Sequence, residues 1–243
     1  MIRRRSIQTI FSAAVMLAAA TPAWAEGVLV FGGTGLLGSE IVKQLANAGE
    51  TQITVFARPT SDRSRLDGID VNYVVGDVLN DDEVEAAFKS NDFRLAINAL
   101  NLDYGTENWT FYQDGLASMV KWAEKTGVDR IVFHSATGAG DSAGLLRADL
   151  PEDSRKRYAD RTRAEEILAE ADVEYAVLRT YIVRPETEPA TGKAFVSTDH
   201  TVTGSVSRAD LAILTLYCSD GPRCRNQILH ASTNDDWTFQ RPE

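Results

Sequence analysis

From residue 28 onward, short apolar runs alternate with amphipathic stretches, and the pattern repeats almost to the end of the chain. Val28–Phe31 is continuously apolar, and Ile41, Val42 and Leu45 then recur at helical spacing. Further strands are expected at Ile53–Ala57, Val71–Val75, Leu95–Leu100, Arg130–His134, Tyr175–Arg179 and Gln227–Ala231. Helices are expected at Asp81–Lys89, opened by Asn80, at Glu107–Lys125, closed by Gly127, at Ser154–Glu170 and at Arg208–Tyr217. Strands that are apolar on both faces need cover on both. The pattern therefore predicts an α/β fold in which a doubly wound, mostly parallel sheet carries helices on both faces.

The first strand runs directly into Gly32-Gly33-Thr34-Gly35-Leu36-Leu37-Gly38 and then into a helix. This is the context in which a glycine-rich turn holds a dinucleotide pyrophosphate, and it makes the sheet Rossmann-type. Gly32 permits the sharp turn, Gly35 admits the phosphates to the backbone, and Gly38 lets the helix pack closely on the sheet. Thr34, Leu36 and Leu37 complete the cradle, whose helix N-terminus favours an anion. The second strand ends in Ala57-Arg58, where an NAD-specific site carries an acid for the ribose hydroxyls. Arg58, with Ser61 and Arg63 nearby, instead offers charge and planar donors to a 2′-phosphate, so NADP is expected over NAD. Asp77, after the third strand, is placed to accept from the adenine amino group or to sit beside the cap of the next helix. Asn98 and the small residue after it end the fourth strand where the nicotinamide ribose would approach the backbone.

The N-terminus adds a location. Arg3, Arg4 and Arg5 precede an apolar run from Ile7 to Ala20, and Ala23-Trp24-Ala25 supplies small residues before a cut. Residues 1–25 are expected to be a signal peptide, leaving 26–243 as one NAD(P)-binding domain, periplasmic or secreted. The apolar run is too short to span a bilayer, so no stable membrane insertion is expected after cleavage. Arg4-Arg5-Ser6-Ile7 also fits a twin-arginine signal, a route that carries folded, cofactor-loaded cargo; ordinary secretion stays open beside it. Loss of three arginines takes the formal net charge from −10 to −13, which excludes nucleic-acid binding by bulk electrostatics. Cys218 and Cys224 flank a turn-forming stretch and can close a short disulfide in an oxidising compartment. The three histidines show no metal-ligand spacing, so no metal is expected.

Taken together, the glycine turn, Arg58, Gly76-Asp77, Val177-Leu178-Arg179-Thr180 and Val206-Ser207-Arg208-Ala209-Asp210-Leu211-Ala212 resemble the atypical short-chain dehydrogenase/reductases, the group that includes NmrA-like proteins. The resemblance implies an oxidoreductase with a small-molecule substrate, whose pocket is formed by the C-terminal half. Catalytic members of the wider superfamily use a serine after strand five and a Tyr-x-x-x-Lys on the next helix. Ser135 in His134-Ser135-Ala136-Thr137-Gly138 matches the serine. Arg161 falls at the lysine position, and Tyr158 lies one residue late for the tyrosine, a slip of about 100° around the helix. The resemblance thus implies Ser135, Tyr158 and Arg161 as the catalytic candidates, with Tyr181 as a pocket wall. The expected activity is hydride transfer to or from a small carbonyl or enone. The altered tyrosine motif keeps two other readings open: a non-catalytic dinucleotide-binding sensor or assembly factor, and an epimerase or isomerase with resident cofactor.

Overall fold

The structure is a computed structural model, and it describes residues 26–102, 106–185 and 188–234. The expected signal peptide lies outside the described residues. Strands β1 (Gly27–Phe31), β2 (Ile53–Ala57), β3 (Asn72–Val75), β4 (Phe93–Asn98), β5 (Arg130–Ala136) and β6 (Glu174–Thr180) alternate with helices α1 (Leu36–Asn47), α2 (Asp81–Phe88), α3 (Phe111–Thr126) and α4 (Glu152–Ala169). Beyond them come β7 (Ile182–Val183), β8 (Ala194–Ser197), β9 (Ser205–Val206), α5 (Arg208–Asp220) and β10 (Gln227–Thr233). The main sheet has eight strands in the order β3-β2-β1-β4-β5-β6-β10-β8. All its pairings are parallel except β10 with β8, which is antiparallel.

Alternation along β1 divides the core. Val28 and Val30 join Ile41, Val42, Leu45, Leu211 and Leu214 on the α1–α5 side. Leu29 and Phe31 join Phe88, Leu116, Met119 and Leu168 on the side of α2, α3 and α4. The chain leaves β1 toward β2 on one side and later returns through β4 on the other. The reversal of strand order opens a crevice at the carboxyl ends of β1 and β4, where ligands bind in such sheets.

The observed elements depart from the sequence expectations in ways that side-chain bonds explain. The strand expected to reach Leu100 stops at Asn98, whose Oδ1 accepts from Leu100 N at 3.1 Å and turns the chain. The helix expected from Glu107 begins at Phe111, because Asp160 accepts from Tyr112 N (2.9 Å) and Gln113 N (3.0 Å) and fixes its first turn. Arg208–Tyr217 extends to Asp220, where Arg130 Nη1 donates to the carbonyls of Cys218, Ser219 and Gly221 at 3.0, 3.0 and 3.3 Å. Cys218 and Cys224, both fully buried, are joined as a disulfide at this end of α5.

Candidate functional site

The turn after β1 is closed by Gly35 N donating to Gly32 O at 3.0 Å. Gly32 has φ +77°, and a Cβ there would lie 2.9 Å from the carbonyl carbon of Ala99. A Cβ on Gly38 would lie 2.7 Å from the Gly32 carbonyl carbon and 2.8 Å from Gly33 Cα, closer still to the Gly32 oxygen. The turn, the start of α1 and the end of β4 therefore meet through backbone alone. Gly35 precedes α1 and no side chain caps it, so the donors of the first turn remain available to a ligand anion. Thr34, Leu36 and Leu37 stand in and just after this turn, each partly exposed.

Arg58 follows the last residue of β2 and is exposed, and its side chain has no hydrogen bond or ion pair among the described residues. Ser61 N donates to Arg58 O at 3.0 Å, closing a turn around it. Arg63 lies over the Tyr73 ring at 4.3 Å. Asp77 is exposed, its Oδ1 accepts from Leu79 N at 3.0 Å, and Glu83 accepts from its N–H at 2.6 Å. One of its carboxylate oxygens thus shapes the turn before α2. Asn98 is buried, and its side-chain oxygen is the one that holds Leu100.

At the other end of the crevice stands Arg161, on α4. It donates from Nη2 to Asn101 Oδ1 (3.1 Å) and Tyr112 Oη (2.6 Å), and from Nη1 to His134 O (3.4 Å). Its guanidinium also stacks on the Tyr112 ring at 3.9 Å. These partners place a permanent cation at the carboxyl ends of β4 and β5. Tyr158 lies three residues earlier and therefore on the same face of the helix. Its Cε1 would be 3.0 Å from a Cβ on Gly138, a glycine with φ +110°, so the ring lies against the loop after β5. Tyr181, just beyond β6, is 48% exposed. Ser135 points elsewhere. It is buried, and its Oγ donates to Glu165 Oε1 at 2.5 Å.

The arrangement has known counterparts. Residues 32–222 match the family described as NAD(P)H-binding, a span well over half of the chain. This chain belongs to the NAD(P)H-binding family. Its fold is similar to that of ChuY, an anaerobillin reductase from Escherichia coli O157:H7, with a TM-score of 0.75 and 22% identity over 88% of this chain and 100% of that one. It is also similar to a short-chain dehydrogenase/reductase from Veillonella parvula in complex with NADP, with a TM-score of 0.68 and 15% identity over 86% and 95% of the two chains. Among curated sequences, a photosystem II assembly factor, Ycf39 of Synechocystis, is 24% identical over 155 residues, 63% of this chain and 43% of that protein. The chain spans less than half the length of the curated relatives it matches.

Within this NAD(P)H-binding fold the structure builds a buried polar network around Arg179. Glu165 receives Arg179 Nε (3.0 Å) and Nη2 (2.6 Å), with both side chains only 2–3% exposed. Arg179 Nη1 donates to Asp141, and His230 Nδ1 lies 3.2 Å from Thr137 Oγ1. Burial works against the charge of Arg179, yet the bonds to Glu165 and Asp141 hold its pKa above the usual arginine value. This network locks the loop after β5 to α4 and β6. Arg179 was legible as part of the Leu178-Arg179 segment, but its partner, 14 residues earlier, was not.

His134 is fully enclosed on the opposite face of β5. Thr215 Oγ1 donates to Leu211 O (2.7 Å), so it accepts from His134 Nε2 (3.1 Å). That assigns the neutral Nε2–H tautomer. Nδ1 has no hydrogen-bond partner among the described residues. Burial lowers the pKa of His134 to about 3. The native state therefore refuses a proton that the unfolded chain accepts below about pH 6.5. Stability contributed by neutral His134 is complete above that pH and is lost as pH falls toward 3, by about 3 kcal/mol at pH 4. Thermal unfolding measured from pH 7 to 4 should show this decline, and His134→Gln should make it shallower. Parallel declines in the two proteins would show that His134 is not the group responsible.

Proposed function

We propose that this protein is an exported, NADP(H)-dependent reductase that acts on a small carbonyl or enone. The observation that carries the cofactor choice is Arg58, an exposed and unanswered cation at the end of β2, where an NAD site would present an acid. The glycine cradle supports the same reading: its backbone closes to distances that leave no room for a Cβ at Gly32 or Gly38. Arg58 and the Arg161 cluster stand at strands separated by three inter-strand spacings in the sheet, about 14 Å. An extended dinucleotide lies between two such points with its 2′-phosphate at one and its nicotinamide at the other. The backbone beside Asn98, at the end of β4, falls along that path, and Asp77, after β3, stands on the adenine side of Arg58.

When bound, the nicotinamide supplies the hydride. The chain supplies the rest. Arg161 holds the developing negative oxygen and, being always protonated, orients and stabilises without releasing a proton. Tyr158, on the same helix face and against the Gly138 loop, gives the proton. Ser135 enters this scheme as a support, since its single hydroxyl proton is held by Glu165. To polarise a substrate oxygen it would have to exchange that bond.

Arg58→Ala tests the cofactor assignment. A charge-assisted contact to the 2′-phosphate is worth about 1.5–3 kcal/mol, so NADPH affinity should fall about tenfold to a hundredfold. NADH affinity should change by less than about threefold, because the lost contact is to a phosphate that NADH lacks. Equal losses for both cofactors would remove Arg58 from the 2′-phosphate site.

A second reading has its own observation. The altered Tyr-x-x-x-Lys and the committed Ser135 also suit a protein that binds NADP(H) without turning it over, and one curated relative is named as an assembly factor. A variant series at Tyr158 and Arg161 separates the two, since a non-catalytic binder would show no oxidation of NADPH for either residue to affect.

A further inference from the structure

In a chain with 35 acidic and 25 basic residues, buried cations are commonly answered by carboxylates. Arg94 faces Glu50, Arg130 faces Glu174 and Arg179 faces Glu165. Arg161 differs. Its three acceptors are the carbonyl of His134, the amide oxygen of Asn101 and the phenol of Tyr112, all neutral. The neighbouring acid, Asp160, lies close enough to feel its charge, but both Asp160 oxygens are taken by the N–H groups of Tyr112 and Gln113. Three of the five guanidinium N–H groups are thereby used to fix the side chain, and among the described residues no carboxylate makes a salt bridge with it.

We propose that Arg161 is an anion subsite and that the substrate carries a carboxylate conjugated with its reducible carbon, so that the negative charge developing on hydride transfer falls on the oxygens Arg161 holds. The inference rests on the reductase reading and names the substrate class of that same site. A neutral substrate would leave the guanidinium facing only dipoles, whereas a carboxylate completes a charge-assisted pair in a half-buried setting. The rest of the crevice argues for an apolar body behind that carboxylate. Leu146 and Tyr158 both close on Gly138, and the exposed ring of Tyr181 lies near Arg147 at the same opening. A planar unsaturated acid, held by its charged end at Arg161 and by its face at these side chains, fits the surroundings.

The test is calorimetric titration of NADP-loaded protein with trans-cinnamate and with its neutral isostere, cinnamamide. The acid is expected to bind at least about tenfold more tightly than the amide. Arg161→Gln, titrated at saturating NADP, should bring the two probes to about the same affinity. Arg161→Lys, which keeps the charge and loses the planar fork, should retain a reduced preference for the acid. Equal binding of acid and amide to the native protein, binding of neither, or a preference that survives in Arg161→Gln would overturn the anion subsite. Failure to bind NADP would instead count against the reductase reading, and the same titration on unloaded protein would still report the acid–amide difference.

Discussion

Glu165→Ala should destabilise the fold by about 3–5 kcal/mol, the cost of leaving a buried charge without its partner. Arg179 is 2% exposed and directs two parallel N–H groups at the Glu165 carboxylate, so no water can take the place of the lost oxygens without opening α4 from β6. Ser135 loses its acceptor in the same variant, and Asp141 is the carboxylate that still faces the guanidinium. The loop after β5 is held by these bonds, so activity should fall together with melting temperature. Replacing both partners, as in Glu165→Leu with Arg179→Met, should recover most of the stability, because the penalty comes from the orphaned charge more than from loss of the pair. Denaturant unfolding of the single and double variants checks this. A single variant within about 1 kcal/mol of the native protein would mean that the pair is not desolvated as the structure shows.

The second large effect is expected at Gly38. Gly38→Ala would set a methyl carbon 2.7–2.8 Å from backbone atoms of Gly32 and Gly33, and none of those atoms is the end of a flexible side chain. The turn or the helix must move. Overpacking of this kind costs about 1–3 kcal/mol or somewhat more. Since the turn proposed to cradle the pyrophosphate is the element displaced, NADPH affinity should fall at least about thirtyfold, the equivalent of some 2 kcal/mol. Cofactor titration together with unfolding of the unliganded variant separates loss of the cradle from loss of the fold. Unchanged NADPH binding in a folded Gly38→Ala protein would show that this turn does not hold the phosphates.

The fold was largely legible because its signals are local. Each buried strand is an uninterrupted apolar run, and β1 passes at once into glycines, of which Gly35 and Gly38 meet only neighbours within six residues. The same is true of Cys218 and Cys224, which bracket one short turn. What escaped the sequence depends on partners set by the sheet order. Glu165 meets Arg179 only because β6 lies beside the strand that α4 covers, and Tyr112 meets Arg161 only because α3 and α4 share one face of the sheet. The short strands β7, β8 and β9 fall between Arg179 and Arg208, where the sequence pattern predicts no strand. Their two to four residues carry no run long enough to signal a strand, and pairing with each other or with β10 defines them. Arg161 was found through its alignment with a lysine, but only the structure shows that its acceptors are neutral. Ser135 likewise matched by position, while its orientation toward Glu165 follows from the pleat of β5.

The most direct measurement is made on protein recovered from the extracytoplasmic compartment in which the proposed function puts it, denatured, with any released nucleotide identified by mass. An exported NADP(H)-dependent reductase predicts NADP(H) in near-stoichiometric amount, or tight binding of added NADPH if the cofactor has been lost during isolation. Absence of any nucleotide, with no binding of added NADPH or NADH, would contradict the account and leave the glycine turn as scaffold alone.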